Sequence, residues 1–296
     1  MELRVLQYFL AIAREESISG AAEYLHITQP TLSRQMKELE EEFGKQLFIR
    51  GNRKITLTDD GLLLRKRAEE IVSLVEKTES EMTLSDNLIS GDIYIGGGET
   101  DAMRLIAKAI HTIQESHPHI VFHLYSGNDE DVTDKLDKGL IDFGILIEAK
   151  DTSKYDFIKL PVHDVWGVLM RKDSPLASLE KITPKDIIDL PLICSDQDMV
   201  KNEISGWMGK DFNQLHIIAT YNLLFNASLL VSEGQGYALG LDRIINTSGN
   251  SSLCFIPLEP RLEADLVLVW KKYQVFSKAA DCFLKKVQKE FQTAQK

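Results

Sequence analysis

Cysteine is sparse in this sequence: Cys194, Cys254 and Cys282 form an odd, scattered set with no CxxC pair. That argues against a disulfide framework or a zinc site and fits free thiols in a reducing compartment. Long apolar runs are lacking too, so no segment reads as a membrane span. Met1 leads straight into an amphipathic segment carrying Leu3, Leu6, Phe9, Leu10 and Ala13, with no signal peptide in the pattern. The expected location is the cytoplasm, with no membrane partner. Positive charge is short overall, and a formal net charge of −11 excludes a chain that coats nucleic acid over its whole surface. Catalytic signatures are missing as well. No Ser-His-Asp set assembles, and Gly96-Gly97-Gly98-Glu99-Thr100-Asp101 is not the GxGxxG of dinucleotide sites. His117, His119 and His123 lack a carboxylate or cysteine at ligand spacing, which favours surface or core histidines over a metal site. The expectation is a chain that is not an enzyme and needs neither metal nor cofactor. At 296 residues it has room for a small domain plus one or two larger ones.

What positive charge there is gathers near the N-terminus. Arg50, Arg53, Lys54, Arg65, Lys66 and Arg67 face only Asp59 and Asp60 over that stretch, a focused patch on an acidic body. Ser17 to Gly61 explains it. Ser19 reads as the cap of a short helix with Ala21, Ala22 and Leu25 buried, and two adjacent alanines suit a close helix crossing. His26-Ile27-Thr28 reads as a turn, with Thr28 capping the next helix and Pro30 tolerated in its first turn. Leu32, Met36, Leu39 and Phe43 define the expected buried stripe of that helix. Gln29, Ser33 and Lys37 share another face, with Thr31 and Arg34 nearby, a set suited to base edges and phosphates. Alone, such a face reads equally well as a solvated surface. The following segment decides between them: Lys45 to Ile49 and Ile55 to Thr58 read as strands around Arg50-Gly51-Asn52-Arg53-Lys54, a hairpin that can reach phosphate or a minor groove.

Ala21-Ala22, Leu25, Gln29-Pro30, Ser33-Arg34, Leu39-Glu40, Gly44, Leu47-Phe48, Arg50, Leu57-Thr58 and Gly61 form a long ordered signature. It resembles that of the LysR-type transcriptional regulators. The resemblance implies a winged helix-turn-helix over residues 1–58 that binds double-stranded DNA through Gln29, Pro30, Thr31, Ser33, Arg34, Lys37, Arg50, Arg53 and Lys54. It implies a linker and dimerisation helix with a hinge over 59–90, and a two-lobed, periplasmic-binding-protein-like α/β effector domain over 91–296. The implied partners are operator DNA, a small-molecule effector, further copies of the chain as dimer or tetramer, and RNA polymerase. Residue patterns agree with this layout. Thr58 reads as the cap of a long helix with Asp59 and Asp60 in its first turn. Leu64, Ala68, Ile71, Val75, Thr78 and Met82 repeat at the spacing of a coiled-coil seam, and Ser85 to Ser90 reads as the hinge. Arg65-Lys66-Arg67 reads either as phosphate contacts or as a solvated charge run.

From Gly91 onward strands and helices alternate, the pattern of a parallel sheet with crossovers. A strand at Ile93 to Gly96, a helix around Leu105 to Ile113, a strand at Val121 to Tyr125, a helix with Val132, Leu136 and Leu140, and a strand at Phe143 to Ile147 are expected. The resemblance implies a first lobe of 91–161 plus 266–296 and a second of 162–265. Ligands bind such sheets beyond the carboxyl ends of strands. The candidate effector residues are therefore Gly98, Glu99, Thr100 and Asp101; Ser126, Gly127 and Asn128; Ile147 with Glu148; Cys194, Ser195 and Asp196; and Phe225, from a segment starting at Tyr221. Gly98 stands where many family members place Ser or Thr to hold a carboxylate, and Glu99 and Asp101 would repel one. A small carboxylate and a neutral or amine-bearing effector both remain open. Cys194 reads as a packed thiol more than a redox sensor, because no basic residue or second cysteine lies beside it in sequence. Two alternatives remain: a solute-binding-protein-like sensor, or an α/β enzyme with an appended winged helix.

Overall fold

Leu3–Glu15 (α1) repeats Val5, Leu6, Phe9 and Ile12 at helical spacing, and all four are buried together with Ala11. The computed structural model describes residues 1–51, 54–83, 89–147 and 153–293, in two units that divide between Thr83 and Leu84. In the first unit Ile18–Tyr24 (α2) begins earlier than expected. Ser17, not Ser19, is the cap, its hydroxyl accepting from the Gly20 amide at 3.2 Å. Ala21 and Ala22 are buried in one cluster with Phe9, Leu32 and Met36. Gln29–Phe43 (α3) is capped by Thr28, whose hydroxyl accepts from the Thr31 amide, and Pro30 sits in its first turn. Leu32, Met36 and Leu39 are buried, but Phe43 is 42% exposed. The helix stops there, Gly44 turns the chain at φ +62°, and Leu47 and Phe48 fill the core at that end.

Glu40 Oε1 accepts from the Leu47 and Phe48 amides at 2.7 and 3.2 Å, so the paired strands are shorter than the sequence pattern implied. Phe48–Arg50 (β1) pairs antiparallel with Ile55–Leu57 (β2), with Arg50 opposite Ile55. Arg53 lies outside the described residues. Asp59–Thr83 (α4) starts at a cap formed by Thr58, whose hydroxyl accepts from the Gly61 amide and donates to the Gln46 carbonyl. A Cβ on Gly61 would stand 2.2 Å from the Leu47 carbonyl oxygen, so only glycine lets α4 cross the hairpin there.

The seam residues divide between two surroundings. Ala68 is fully buried, and Leu64 packs on the same cluster with Val72, against the α1 side of their own unit. Ala68 thus buries its apolar surface within the chain, whereas Leu64 is only half-buried there. Ile71, Leu74 and Met82 are exposed at 38%, 41% and 80%, and Thr78 beside them turns its hydroxyl to the Leu74 carbonyl at 2.8 Å. Of the expected hinge, residues 85–88 fall outside the described residues.

Among the described residues, the second unit holds a nine-stranded mixed sheet. Its first half runs Gly91–Gly97 (β3), Met103–Ser116 (α5), Ile120–Ser126 (β4), Asp129–Asp137 (α6) and Phe143–Ile147 (β5), with β3 parallel to both β4 and β5. Helix α6 ends before Leu140, and Asn128 and Asp131 close a capping box at its start. Tyr155–Arg171 (β6) then crosses the whole unit. The second half contains Pro184–Ile187 (α7), Leu192–Ser195 (β7), Asp198–Met208 (α8), Ile217–Tyr221 (β8), Leu224–Ser232 (α9), Tyr237–Leu241 (β9) and Leu253–Pro257 (β10). There β7 is parallel to β8 and β9, while β9 and β10 pair antiparallel with β6. Glu263–Lys271 (β11) returns antiparallel between β5 and β6 with a register shift between Asp265 and Val267, and Lys278–Thr293 (α10) packs on the first half. Two main apolar cores result. One contains Leu160 and Leu266, the other Trp166 and Ala264, and Ile147 packs against both. The chain therefore passes between two lobes on β6 and again on β11.

Candidate functional site

Two surfaces carry the expected chemistry, one in each unit. On the first, Gln29, Pro30, Thr31, Arg34 and Lys37 are exposed and Ser33 is half-buried, so α3 presents a polar face beside the β1–β2 hairpin. Arg34 and Lys37 lie 3.4 Å from Glu38 and Glu41, one turn on. Such exposed pairs hold their partners weakly, which leaves both cations available to an anion. Lys54 pairs with Glu16 at 3.1 Å in the same exposed way. Arg65 and Arg67 are paired with Glu69 and Glu70 on their own helix, which favours the solvated reading of that run.

The second surface is a cleft between the lobes, where the carboxyl ends of β3, β4, β5, β7 and β8 converge, as parallel segments require. It closes on a cavity of about 40 Å³ lined by Glu99, Asp129, Ile147, Trp166, Ser195 and Leu241 among others. By a measure in which one water needs about 10–15 Å³, that is room for roughly three waters. Glu99, from the first lobe, reaches across: its Oε2 accepts from the Leu224 and Phe225 amides at the start of α9. Those amides have no partner within their helix and carry its positive dipole end, so they bind an anion readily. The Asp129 amide donates to Gln197 Oε1 at 3.4 Å, a second contact between lobes. Burial pushes the Asp129 carboxyl up to about 7, against the opposing effect of a hydrogen bond from the Ile147 backbone.

Thr100 and Asp101 are bonded within the chain. The Thr100 hydroxyl donates to Asp164 at 2.5 Å and accepts from the Ala102 amide. Asp101 pairs with Arg104 at 2.6 Å and with Arg243 at 3.4 Å. Helix α5 starts only at Met103, two residues beyond Asp101, and has no side-chain cap. Asp164 is fully buried; desolvation raises its pKa, opposed by the Thr100 hydroxyl.

Family models match both units: the bacterial regulatory helix-turn-helix of the lysR family over residues 3–62, and the LysR substrate binding domain over residues 86–292. The chain belongs to the LysR family. It is 27% identical over 281 residues to a hydrogen peroxide-inducible genes activator of Pectobacterium carotovorum subsp. carotovorum, covering 92% of this chain and 90% of that one. It is 32% identical over 197 residues to the HTH-type transcriptional regulator BsdA of Bacillus subtilis, covering 65% and 66% of the two chains. The crystal structure of the LysR family regulator CbnR superposes with a TM-score of 0.77 at 17% identity, covering 98% of this chain and 99% of that one. CbnR bound to its target DNA gives 0.75. As a LysR regulator the chain is a DNA-binding transcriptional regulator with an effector-binding domain, and LysR regulators assemble as oligomers. No described helix is long and apolar enough to cross a membrane.

Of the residues expected in the LysR effector site, Gly98, Glu99, Asn128, Ile147 and Ser195 line the cavity. Thr100, Asp101, Ser126, Gly127, Cys194, Asp196 and Phe225 do not: Ser126, Asp196 and Phe225 are exposed, Gly127 is buried, and Cys194 points into the second-lobe core. Glu148 lies outside the described residues. Burial pushes the Cys194 thiol up to about 12, which disfavours its thiolate. Asp129, Trp166, Gln197, Leu241 and Ile244 also line the cavity, outside the residues expected from the sequence. Asp129 and Gln197 each follow a residue already singled out. Trp166 and Leu241 come from the antiparallel pair β6 and β9, which the rule of strand ends does not reach.

Proposed function

We propose that this LysR regulator reads operator DNA with Gln29, Pro30, Thr31, Ser33, Arg34 and Lys37 in the major groove. Arg50, Arg53 and Lys54 then lie along backbone or minor groove. A small effector in the interlobe cleft sets lobe closure, and the free face of α4 (Ile71, Leu74, Val75, Thr78 and Met82) joins two copies. The observation that carries this reading is the Glu99 carboxylate, which ties the first lobe to α9 of the second at the edge of the cavity. Whatever occupies the cavity must act on that tie, so occupancy shifts the population of closed and open lobes. We read the cleft as a binding site and not a catalytic one, and the protein as a cytoplasmic regulator that acts at promoters with RNA polymerase. Pairs of dimers are a further assembly within this reading.

Relatives named as hydrogen peroxide-inducible genes activators suggest thiol chemistry, which the surroundings of the three cysteines of this chain disfavour. Peroxide oxidises exposed thiolates, and burial holds the thiols of Cys194, Cys254 and Cys282 above their ordinary range. The test is footprinting on DNA upstream of the chain's own coding region, with fractionated metabolites added. A fraction that changes the footprint of the wild type but not of Leu241→Trp, whose added bulk fills the cavity, supports the reading. Equal responses in both proteins would refute it.

A further inference from the structure

Charge within the cleft is one-sided. Glu99 and Asp129 line the cavity, and no lysine, arginine or histidine does so among the described residues. Arg243, next in sequence to the lining residue Ile244, is taken by Asp242 at 2.9 Å, Asp101 at 3.4 Å and Asp164 at 3.7 Å. The seat that would welcome an anion, the amides at the start of α9, is already filled by Glu99 from within the chain. A second, independent feature is the Trp166 indole. The residue is 2% exposed and lines the cavity, yet its Nε1–H has no hydrogen-bond partner. A buried donor left unpaired costs about 1–3 kcal/mol, so it marks a place where an acceptor belongs.

We infer that the cleft takes a small cationic amine carrying a hydroxyl or carbonyl oxygen, with the ammonium between Asp129 and Glu99 and the oxygen on Trp166 Nε1. This rests on the reading of the cleft as the effector site and specifies the chemical class of that effector. An ammonium donates three hydrogen bonds and accepts none, which suits two carboxylates and the Ser195 and Asn128 side chains. An anion of the same size meets two carboxylates without a compensating cation, and a neutral molecule forgoes the charge-assisted bonds. Ammonium binding also gives Glu99 an alternative to the α9 amides, which couples occupancy to lobe closure.

Isothermal titration of the full-length protein at about pH 8 with ethanolamine, ethylene glycol and glycolate tests this, because the three probes are similar in size and differ in charge. Ethanolamine is expected to bind at least about tenfold more tightly than either of the others. Asp129→Asn and Glu99→Gln, checked for fold by circular dichroism, are each expected to remove about tenfold of that affinity; if one fails to fold, the other carries the test. No ethanolamine binding, equal or tighter binding of glycolate or ethylene glycol, or unchanged ethanolamine affinity in the folded variants overturns the inference. Leu241→Trp separates the two levels. If glycolate wins and is lost in Leu241→Trp, the cleft reading stands and the cationic class fails. If the winning probe still binds Leu241→Trp, the cleft is not the effector site.

Discussion

Replacing Asp129 by Asn reports directly on the closed cleft, because its carboxyl is pushed up to about 7 from an ordinary 3.8 by burial. The folded protein therefore holds this proton where the unfolded chain has released it. Below about pH 4 the group is protonated in both states and its stabilisation is complete. From about pH 4 to about pH 7 the unfolded chain ionises and the folded one does not, so stability falls by about 1.4 kcal/mol per pH unit. Above about pH 7 the loss is complete and the curve is flat. The full difference is at most about 4 kcal/mol, and partial solvation of the cleft brings it to the order of 2–4 kcal/mol. Asparagine stays neutral throughout and keeps an oxygen for the Ile147 backbone. Asp129→Asn should therefore gain on the wild type as pH rises through this window. The assay is the melting temperature of the second unit's transition, measured for both proteins at about pH 4.5, 6 and 8. With about 2–4 °C per kcal/mol for a unit of this size, the gap should widen in the variant's favour by several degrees. A gap independent of pH would refute the buried, proton-holding carboxyl and the closed cleft that produces it.

Three further outcomes are expected. Ile71→Asp puts a carboxylate on the free face of α4 and should convert the oligomer to monomers in sedimentation without unfolding the first unit, whereas an unchanged mass would refute that seam. Gly61→Ala forces a Cβ against the Leu47 carbonyl and should lower the first unit's stability by about 1–3 kcal/mol in urea denaturation, an outcome that a neutral substitution would contradict. Cys194→Ser should leave any DNA-binding response to peroxide unaltered, since the buried thiol is held at about 12; a response lost in this variant would show that the thiol is reactive.

What the sequence makes legible is what local spacing can encode. Leu32, Met36 and Leu39 mark the buried side of α3 because their period is helical, and Thr28 and Thr58 mark helix starts because their hydroxyls meet free amides. Spacing alone does not say what a stripe packs against. Leu64 and Ala68 follow the same heptad spacing as Ile71 and Met82, yet the first pair packs on the chain's own core and the second pair is exposed. The cleft follows the same division. Gly98, Asn128, Ile147 and Ser195 are found from the ends of parallel strands, whereas Trp166 and Leu241 arrive from antiparallel strands. Glu99 finds its partner, Leu224, 125 residues away. A carboxylate that reads as repelling an effector is already bonded, and only the folded chain shows to what.

The most direct test of the central claim is binding of the full-length protein to DNA from its own upstream region and to random DNA, followed by fluorescence anisotropy across a salt titration for wild type and Arg34→Ala. The account predicts a preference of about a thousandfold or more for the upstream DNA in the wild type, strong weakening with salt, and loss of most of that preference in Arg34→Ala while both proteins keep the same oligomeric mass. Equal affinity for both DNAs in the wild type, or an unaltered preference in Arg34→Ala, would contradict the assignment of α3 as the element that reads sequence.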